Sequence, residues 1–320
     1  MLDAADLALV NPWQRGFPLE ERPFARIAAA AHLTEDEVLE KYRSLAAEGV
    51  IDRIGPVFRP NAVGASMLAA IAVPPERLPE VAERVSREPG VNHNYEREHR
   101  YNLWFVVTGA TQAEVQARVA AIEAATGLRV LRLPLLEEFH IDLGFDLESH
   151  DVPRERPCER SFPPASAAEQ ALVRQTVRGL PLVPAPYAAV ERLASLGRGQ
   201  ALELLKKMLD DGRIRRIGAV IRHRRLGYRA NAMVVWDVPD ARASELGRAL
   251  ARDPAVTLCY RRAHSLPDWP YNLYCMVHGR ERSRVVAEIE RLTAGHGLGA
   301  FPRAVLFSTR CFSQRAASYG

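Results

Sequence analysis

The hydrophobic pattern changes period twice along the chain, and then does so again. Apolar positions predict a short helix over residues 23–32. Thr34-Glu35-Asp36-Glu37 is a capping box that opens a second helix. Val38, Tyr42, Leu45 and Ala46 keep one face of it, and Gly49 suits a left-handed stop. Residues 50–58 read as strand or wing, so this part has the outline of a winged helix-turn-helix. Strands and helices then alternate. Residues 67–73 are an apolar strand, and Leu78, Val81, Ala82 and Val85 share one face of the helix that follows. Residues 91–98 and 101–109 make a hairpin, 113–126 a second helix and 129–136 a last strand. The order β-α-β-β-α-β is the ferredoxin-like pattern.

The same series recurs. Arg53-Ile54-Gly55-Pro56-Val57-Phe58-Arg59 returns as Arg216-Ile217-Gly218-Ala219-Val220-Ile221-Arg222, and Tyr101-Asn102-Leu103-Trp104 as Tyr271-Asn272-Leu273-Tyr274. An internal duplication therefore organises the chain. The second copy carries helices over 187–196 and 200–211, strands over 232–238, 256–262, 271–278 and 303–307, and helices over 243–251 and 283–293. Its main insertion is 265–270. The expected class is α+β. Winged helix-turn-helix units cover 1–62 and 167–226, ferredoxin-like domains cover 63–147 and 227–320, and a proline-containing linker covers 148–166.

Composition narrows the function classes. With 320 residues, 48% hydrophobic and 26% charged, the chain reads as an ordinary globular protein. It has no apolar run near the ~20 residues of a membrane span. Acids follow Met1, where a secretory signal needs basic residues, so a cytoplasmic location is expected. The cysteines (Cys158, Cys259, Cys275, Cys311) form no CxxC pair, which argues against a zinc ribbon, an Fe–S cluster or a disulfide framework. Residues 1–160 hold 18 Lys+Arg and 26 Asp+Glu, net −8; residues 161–320 hold 25 and 13, net +12. The split favours attraction between the halves, or of an anion to the second.

Candidate chemistry lies on the hairpins. His93, Tyr95, Arg97 and His99 alternate on one strand face. Two histidines and an arginine packed against helices would be costly, so the row is expected to line a cavity opposite them. Asn102 and Trp104 follow on the next strand. In copy two the row reads Leu258, Tyr260, Arg262, His264, with Tyr271 beyond an insertion whose Trp269 could act as a lid.

These hairpin strings, on this domain order, resemble the sirohaem decarboxylase branch of the Lrp/AsnC family. They are Val91-Asn92-His93-Asn94-Tyr95-Glu96-Arg97-Glu98-His99, Tyr101-Asn102-Leu103-Trp104-Phe105 and Asp268-Trp269-Pro270-Tyr271-Asn272-Leu273. That branch usually pairs two similar subunits, and this chain looks like the two fused. The resemblance implies loss of CO₂ from the ring C and D acetates of sirohaem, in haem d1 or alternative haem synthesis. No cofactor is required, because the iron enters with the substrate. His93 and His99 are then the candidate acids or acetate-orienting groups. His264 is a weaker third. Arg59, Arg97, Arg100, Arg222 and Arg262 are candidates to hold carboxylates. Tyr95, Tyr101, Trp104, Trp269 and Tyr271 would cover the macrocycle, beside Asn102. His93 becomes Leu258 in copy two, so copy one is expected to be the active one.

A DNA-binding regulator and a haem-binding sensor are the alternatives. The first recognition helix carries Glu35, Asp36, Glu37 and Glu40, which would repel phosphates. Copy two is more basic, through Arg198, Lys206, Lys207 and Arg213-Ile214-Arg215-Arg216. DNA is not expected as a partner. The two copies are expected to pair with each other, and a homodimer of the fused chain is possible.

Overall fold

Each copy opens with three helices, one more than the hydrophobic pattern predicts. In the computed structural model, which describes residues 4–141, 162–222 and 230–319, these are α1 (Ala4–Val10), α2 (Pro23–Ala31) and α3 (Glu35–Ala47). The capping box at Thr34 and Glu37 is formed, and Gly49 follows α3 at φ +71°. After β1 (Ile51–Phe58) come β2 (Ala65–Ile71), α4 (Leu78–Arg87), β3 (Val91–Arg97), β4 (Leu103–Gly109), α5 (Gln112–Thr126), β5 (Val130–Leu133) and β6 (Leu135–Ile141). Copy two repeats the series as α6 (Ala167–Thr176), α7 (Pro186–Ala194), α8 (Gln200–Asp210), β7 (Ile214–Ile221), β8 (Ala230–Trp236), α9 (Asp240–Leu250), β9 (Val256–Arg262), β10 (Leu273–Gly279), α10 (Arg282–Gly295) and β11 (Arg303–Gln314). Helix α6 starts on a capping box of its own, Ser166 with Glu169, a readable signal inside the span assigned to the linker. Most of that linker, Cys158 and the boundary at 226/227 lie outside the described residues.

The wing is not a hairpin within each copy. β1 pairs antiparallel with β7, Gly55 facing Gly218, so each copy supplies one strand. A lone strand leaves its backbone donors and acceptors unpaired, and the equivalent strand of the other copy satisfies them. A Cβ at Gly218 would stand 2.1 Å from the Gln14 carbonyl oxygen, so only glycine allows that approach.

The last strands cross between copies. β11 pairs β8 as far as Phe307, then β3 of copy one from Ser308 to Gln314. Reciprocally, β5 pairs β2, and past Pro134 β6 pairs β9 of copy two. Nine strands in the order β5-β2-β4-β3-β11-β8-β10-β9-β6 result. The β3 and β9 edges that the domains would leave open are thereby covered. The copies pack as a pseudo-two-fold pair through their sheets, as the duplication predicts.

Four cores follow. Two lie between each sheet and its helices, one is shared by both helix-turn-helix units, and one lies between the copies. The charge split is realised across the boundary: Asp52 pairs with Arg222, Glu98 with Arg282, Glu137 with Arg248 and Glu138 with Arg215.

Candidate functional site

Strand β3 sorts its side chains by parity. Asn94 points to the helices, its amide donating to the Ala82 carbonyl (2.9 Å) and to Ser86 Oγ (3.0 Å). His93, Tyr95 and Arg97 therefore take the opposite face, as predicted. Beside β3 in the sheet runs β11, whose Gln314 sits opposite His93 in register, and Asp52 and Arg53 of the wing strand β1 act on the imidazole.

His93 and Tyr95 stand nearly parallel, 6.3 Å between ring centroids, and the Tyr95 hydroxyl bonds Gln314 Oε1 at 3.1 Å. Protein surrounds His93, yet it keeps some accessible surface, as expected of a group lining a recess. Burial, aided by the Arg53 charge, pushes the imidazole down to about 4, against an opposing pull from Asp52. Asp52 binds Arg53 at 3.0 Å and, from copy two, Arg222 at 2.7 Å. His93 is therefore neutral near pH 7, beside two guanidinium groups that share one carboxylate.

Across the pseudo-two-fold axis the equivalent position has different chemistry. Leu258 replaces His93, and Arg215 replaces Asp52. Arg59 and Arg215 would then repel each other, but Glu138 of β6 bonds both, at 3.1 Å to Arg59. Burial and the neighbouring arginines, Arg59 first, still pull Arg215 down to about 9. The two recesses are thus not equivalent.

The remaining predicted residues divide into two groups. Arg97 is buried and donates to the Leu306 carbonyl at 3.1 Å; Arg262 makes the mirror bond to the Leu133 carbonyl at 2.7 Å. Both brace the crossing strands. Asn102 spends its amide on both backbone groups of Val73, 2.9 Å each. The second group is aromatic. Trp269 is wholly buried, 5.0 Å from Trp104, 4.9 Å from Tyr271, 5.9 Å from Tyr101 and 5.3 Å from His99. It is no lid, because the insertion drives it into the core between the copies, where its Nε1–H donates to Tyr274 (2.7 Å). His264 is held by the Pro270 carbonyl (2.5 Å) and Asp240 (3.5 Å). Arg100 is exposed over Tyr101.

His99 sits past the other end of β3. At ~3.3 Å per residue, the strand between His93 and Arg97 already spans about 13 Å. His99 Nδ1 accepts the Tyr101 N–H (3.0 Å), which places its own proton on Nε2 when neutral. Burial and then Arg100 lower its pKa.

The structure adds Asp52, Arg53, Gln314, Glu138 and Arg215 to the predicted residues. Asp52 and Arg215 have a readable signal, a charge reversal between aligned wing strands. Gln314 has none, since only the strand crossing brings it to His93. The basic string Arg213-Ile214-Arg215-Arg216 is not a DNA-facing surface. Its arginines are buried against Glu169, Glu138 and the Gln14 carbonyl. A groove of about 780 Å³ between α1 and α3 holds none of the predicted site residues. No helix among the described residues is long and apolar enough to cross a membrane.

Comparison with known proteins agrees with this architecture. The model of the AsnC-like ligand binding domain matches residues 62–140 and 225–313, and that of the sirohaem decarboxylase NirDL-like HTH domain matches 6–51. The chain is 41% identical to the sirohaem decarboxylase NirDL subunit of Paracoccus denitrificans, over 99% of this chain and 98% of the relative. It is 33% identical to the sirohaem decarboxylase of Hydrogenobacter thermophilus, over 96% and 92%. A crystal structure of the sirohaem decarboxylase NirDL superposes with a TM-score of 0.72 at 28% identity, covering 98% of this chain and 94% of the other. Another, in co-complex with an iron-uroporphyrin III analogue, gives 0.70 at 27%, covering 98% and 93%.

Proposed function

The chain belongs to the sirohaem decarboxylase NirDL family, and from that membership we propose that it removes the ring C and D acetate carboxylates of sirohaem as CO₂. The observation that carries the reading at the level of the site is His93, neutral and surrounded by protein, between Tyr95 and the Arg53–Asp52–Arg222 group. Each step converts an acetate into a methyl: the C–CO₂ bond breaks, its electron pair passes into the ring, and one proton is added at carbon. The step is redox-neutral. The iron belongs to the substrate, and no further cofactor is proposed.

The electrostatics suit this order of events. A polyanionic tetrapyrrole brings carboxylates to a recess with excess positive charge, where Arg53 and Arg222 can exchange part of their bonding to Asp52 for the ligand. Poor solvation of the reacting acetate favours release of neutral CO₂. The arriving negative charge raises the His93 pKa, so the imidazole takes up a proton it does not hold in the free protein and is placed to donate it. A positioned acid of this kind contributes ~10²–10⁴-fold. Tyr95 offers a ring face to the macrocycle. His99, with its proton on Nε2, is the candidate donor for the other acetate. With Leu258 and Glu138 in the second recess, copy one is the acting copy.

The test is to incubate the pure protein with sirohaem anaerobically and weigh the tetrapyrrole. Loss of two CO₂ units is expected. A Soret shift with unchanged mass would make the protein a binder, and neither effect together with DNA retardation would make it a regulator.

A further inference from the structure

The segment after β11 belongs to copy two by sequence but lies along copy one. The Arg315 N–H donates to the Asn92 carbonyl (2.7 Å), next to His93, and the Ser318 N–H donates to Thr108 Oγ1 (3.2 Å). This course delivers Tyr319 to the junction of the first sheet with the helix-turn-helix core. Its ring lies over Gly64, where a Cβ would be 2.4 Å from Tyr319 Cδ1. Protein surrounds the phenol, and burial pushes it up to about 12 while the Arg53 charge works against the rise. Arg53 thus acts on both His93 and Tyr319. The Tyr319 hydroxyl has no hydrogen-bond partner among the described residues, and the side chain keeps some accessible surface. Arg53 Nε is buried and also lacks a partner. Arg53 of copy one, with its unpartnered Nε, thus stands within electrostatic reach of both the Tyr319 phenol of copy two and the His93 imidazole.

We infer that Tyr319 is a positioning residue for the substrate: its hydroxyl and the Arg53 guanidinium together hold one carboxylate of the tetrapyrrole at the wing-side end of the His93 recess. The chemistry is that of an anion site, since both groups donate and neither accepts in this role. The buried Arg53 Nε left unpaired is costly, and a ligand carboxylate would relieve it while also accepting from the Tyr319 hydroxyl. Among the described residues the pseudo-two-fold relation gives no second such pair. The residue equivalent to Arg53 is Arg216, whose guanidinium is bound to the Gln14 and Ala219 carbonyls. This inference rests on the tetrapyrrole reading above.

Tyr319→Phe keeps the ring over Gly64 and removes only the hydroxyl. Titration of wild type, Tyr319→Phe, Arg53→Gln and the double variant with iron-uroporphyrin III, followed at the Soret band, gives four dissociation constants. The expected result is a roughly 10-fold weaker Kd for Tyr319→Phe with an unchanged melting temperature. The double variant should be weaker than wild type by less than the product of the single effects, because both donors serve one carboxylate. A Tyr319→Phe protein that binds like wild type, or effects that multiply independently, overturns the inference. Wild type that binds iron-uroporphyrin III but releases no CO₂ from sirohaem overturns the decarboxylase reading, and the binding ratios still decide the role of Tyr319. Wild type that takes up no iron-uroporphyrin III overturns both.

Discussion

Asp52 of the first wing accepts two hydrogen bonds from Arg222 of the second, at 3.0 and 2.7 Å, and so ties the two copies together directly beside His93. The carboxylate also raises the pKa of His93 against the dominant effects of burial and Arg53. Asp52→Asn removes that support. The imidazole should then titrate below its present value of about 4, as NMR of the ring protons would show. An unchanged or higher value would mean that Asp52 does not act on His93.

His93→Leu writes the copy-two residue into copy one. Turnover should fall ~10²–10⁴-fold, the usual contribution of a positioned acid, with circular dichroism unchanged. His99→Ala should also lower turnover. If either variant decarboxylates sirohaem at the wild-type rate, that histidine leaves the mechanism.

His93 also makes stability depend on pH with a definite sign. An unfolded histidine titrates near 6.5, and the folded one near 4. Between these values the unfolded chain binds the proton that the folded chain refuses. Stability should therefore fall as pH drops from about 6.5 to 4, by at most about 3 kcal/mol from this group. Denaturant unfolding at pH 7, 5.5 and 4.5 should show wild type losing stability relative to His93→Leu. Parallel loss in both proteins would contradict a neutral, buried His93.

Glu138→Ala should be strongly destabilising, by ~3–5 kcal/mol, because it leaves Arg59 and the buried Arg215 facing each other without a counter-charge. Thermal melts would register the loss. Adding Arg215→Leu should recover part of it, since the uncompensated charge goes with the arginine.

Glu35→Lys with Glu37→Lys reverses the charge at the start of α3. Decarboxylation should change little, with a modest drop in melting temperature from the lost capping box. Footprinting of the wild type at physiological salt should detect no operator. Protection that disappears on mutating Arg198 would restore the regulator reading.

What could be read beforehand follows the range of the forces involved. The capping box at Thr34, the stop at Gly49 and the β-α-β-β-α-β order are set by neighbours in sequence, and each forms where predicted. The face shared by His93, Tyr95 and Arg97 follows from strand parity alone. Long-range partners were not legible. Trp269 reads as a candidate lid in a longer loop, yet it is wholly buried because aromatic rings of the other copy receive it. Arg97 and Arg262 read as carboxylate holders, and the bonds each makes to a carbonyl of a crossing strand could not be foreseen. The course of β6 and β11 beyond their own domains depends on edges that only the assembled pair presents.

The crossing strands also bear on how such a site can diverge. In an assembly of identical chains every substitution lands twice, so an aspartate at the position of Asp52 would appear opposite itself as well. Joining the copies in one chain removes that constraint. One copy keeps His93 and Asp52 and receives Gln314 and Arg222 from the other. The other copy carries Leu258 and Arg215, and pairs Arg215 with Glu138. Covalent fusion thus lets equivalent positions of the two halves diverge, and on the proposed reading one half becomes the reactive surface and the other its support.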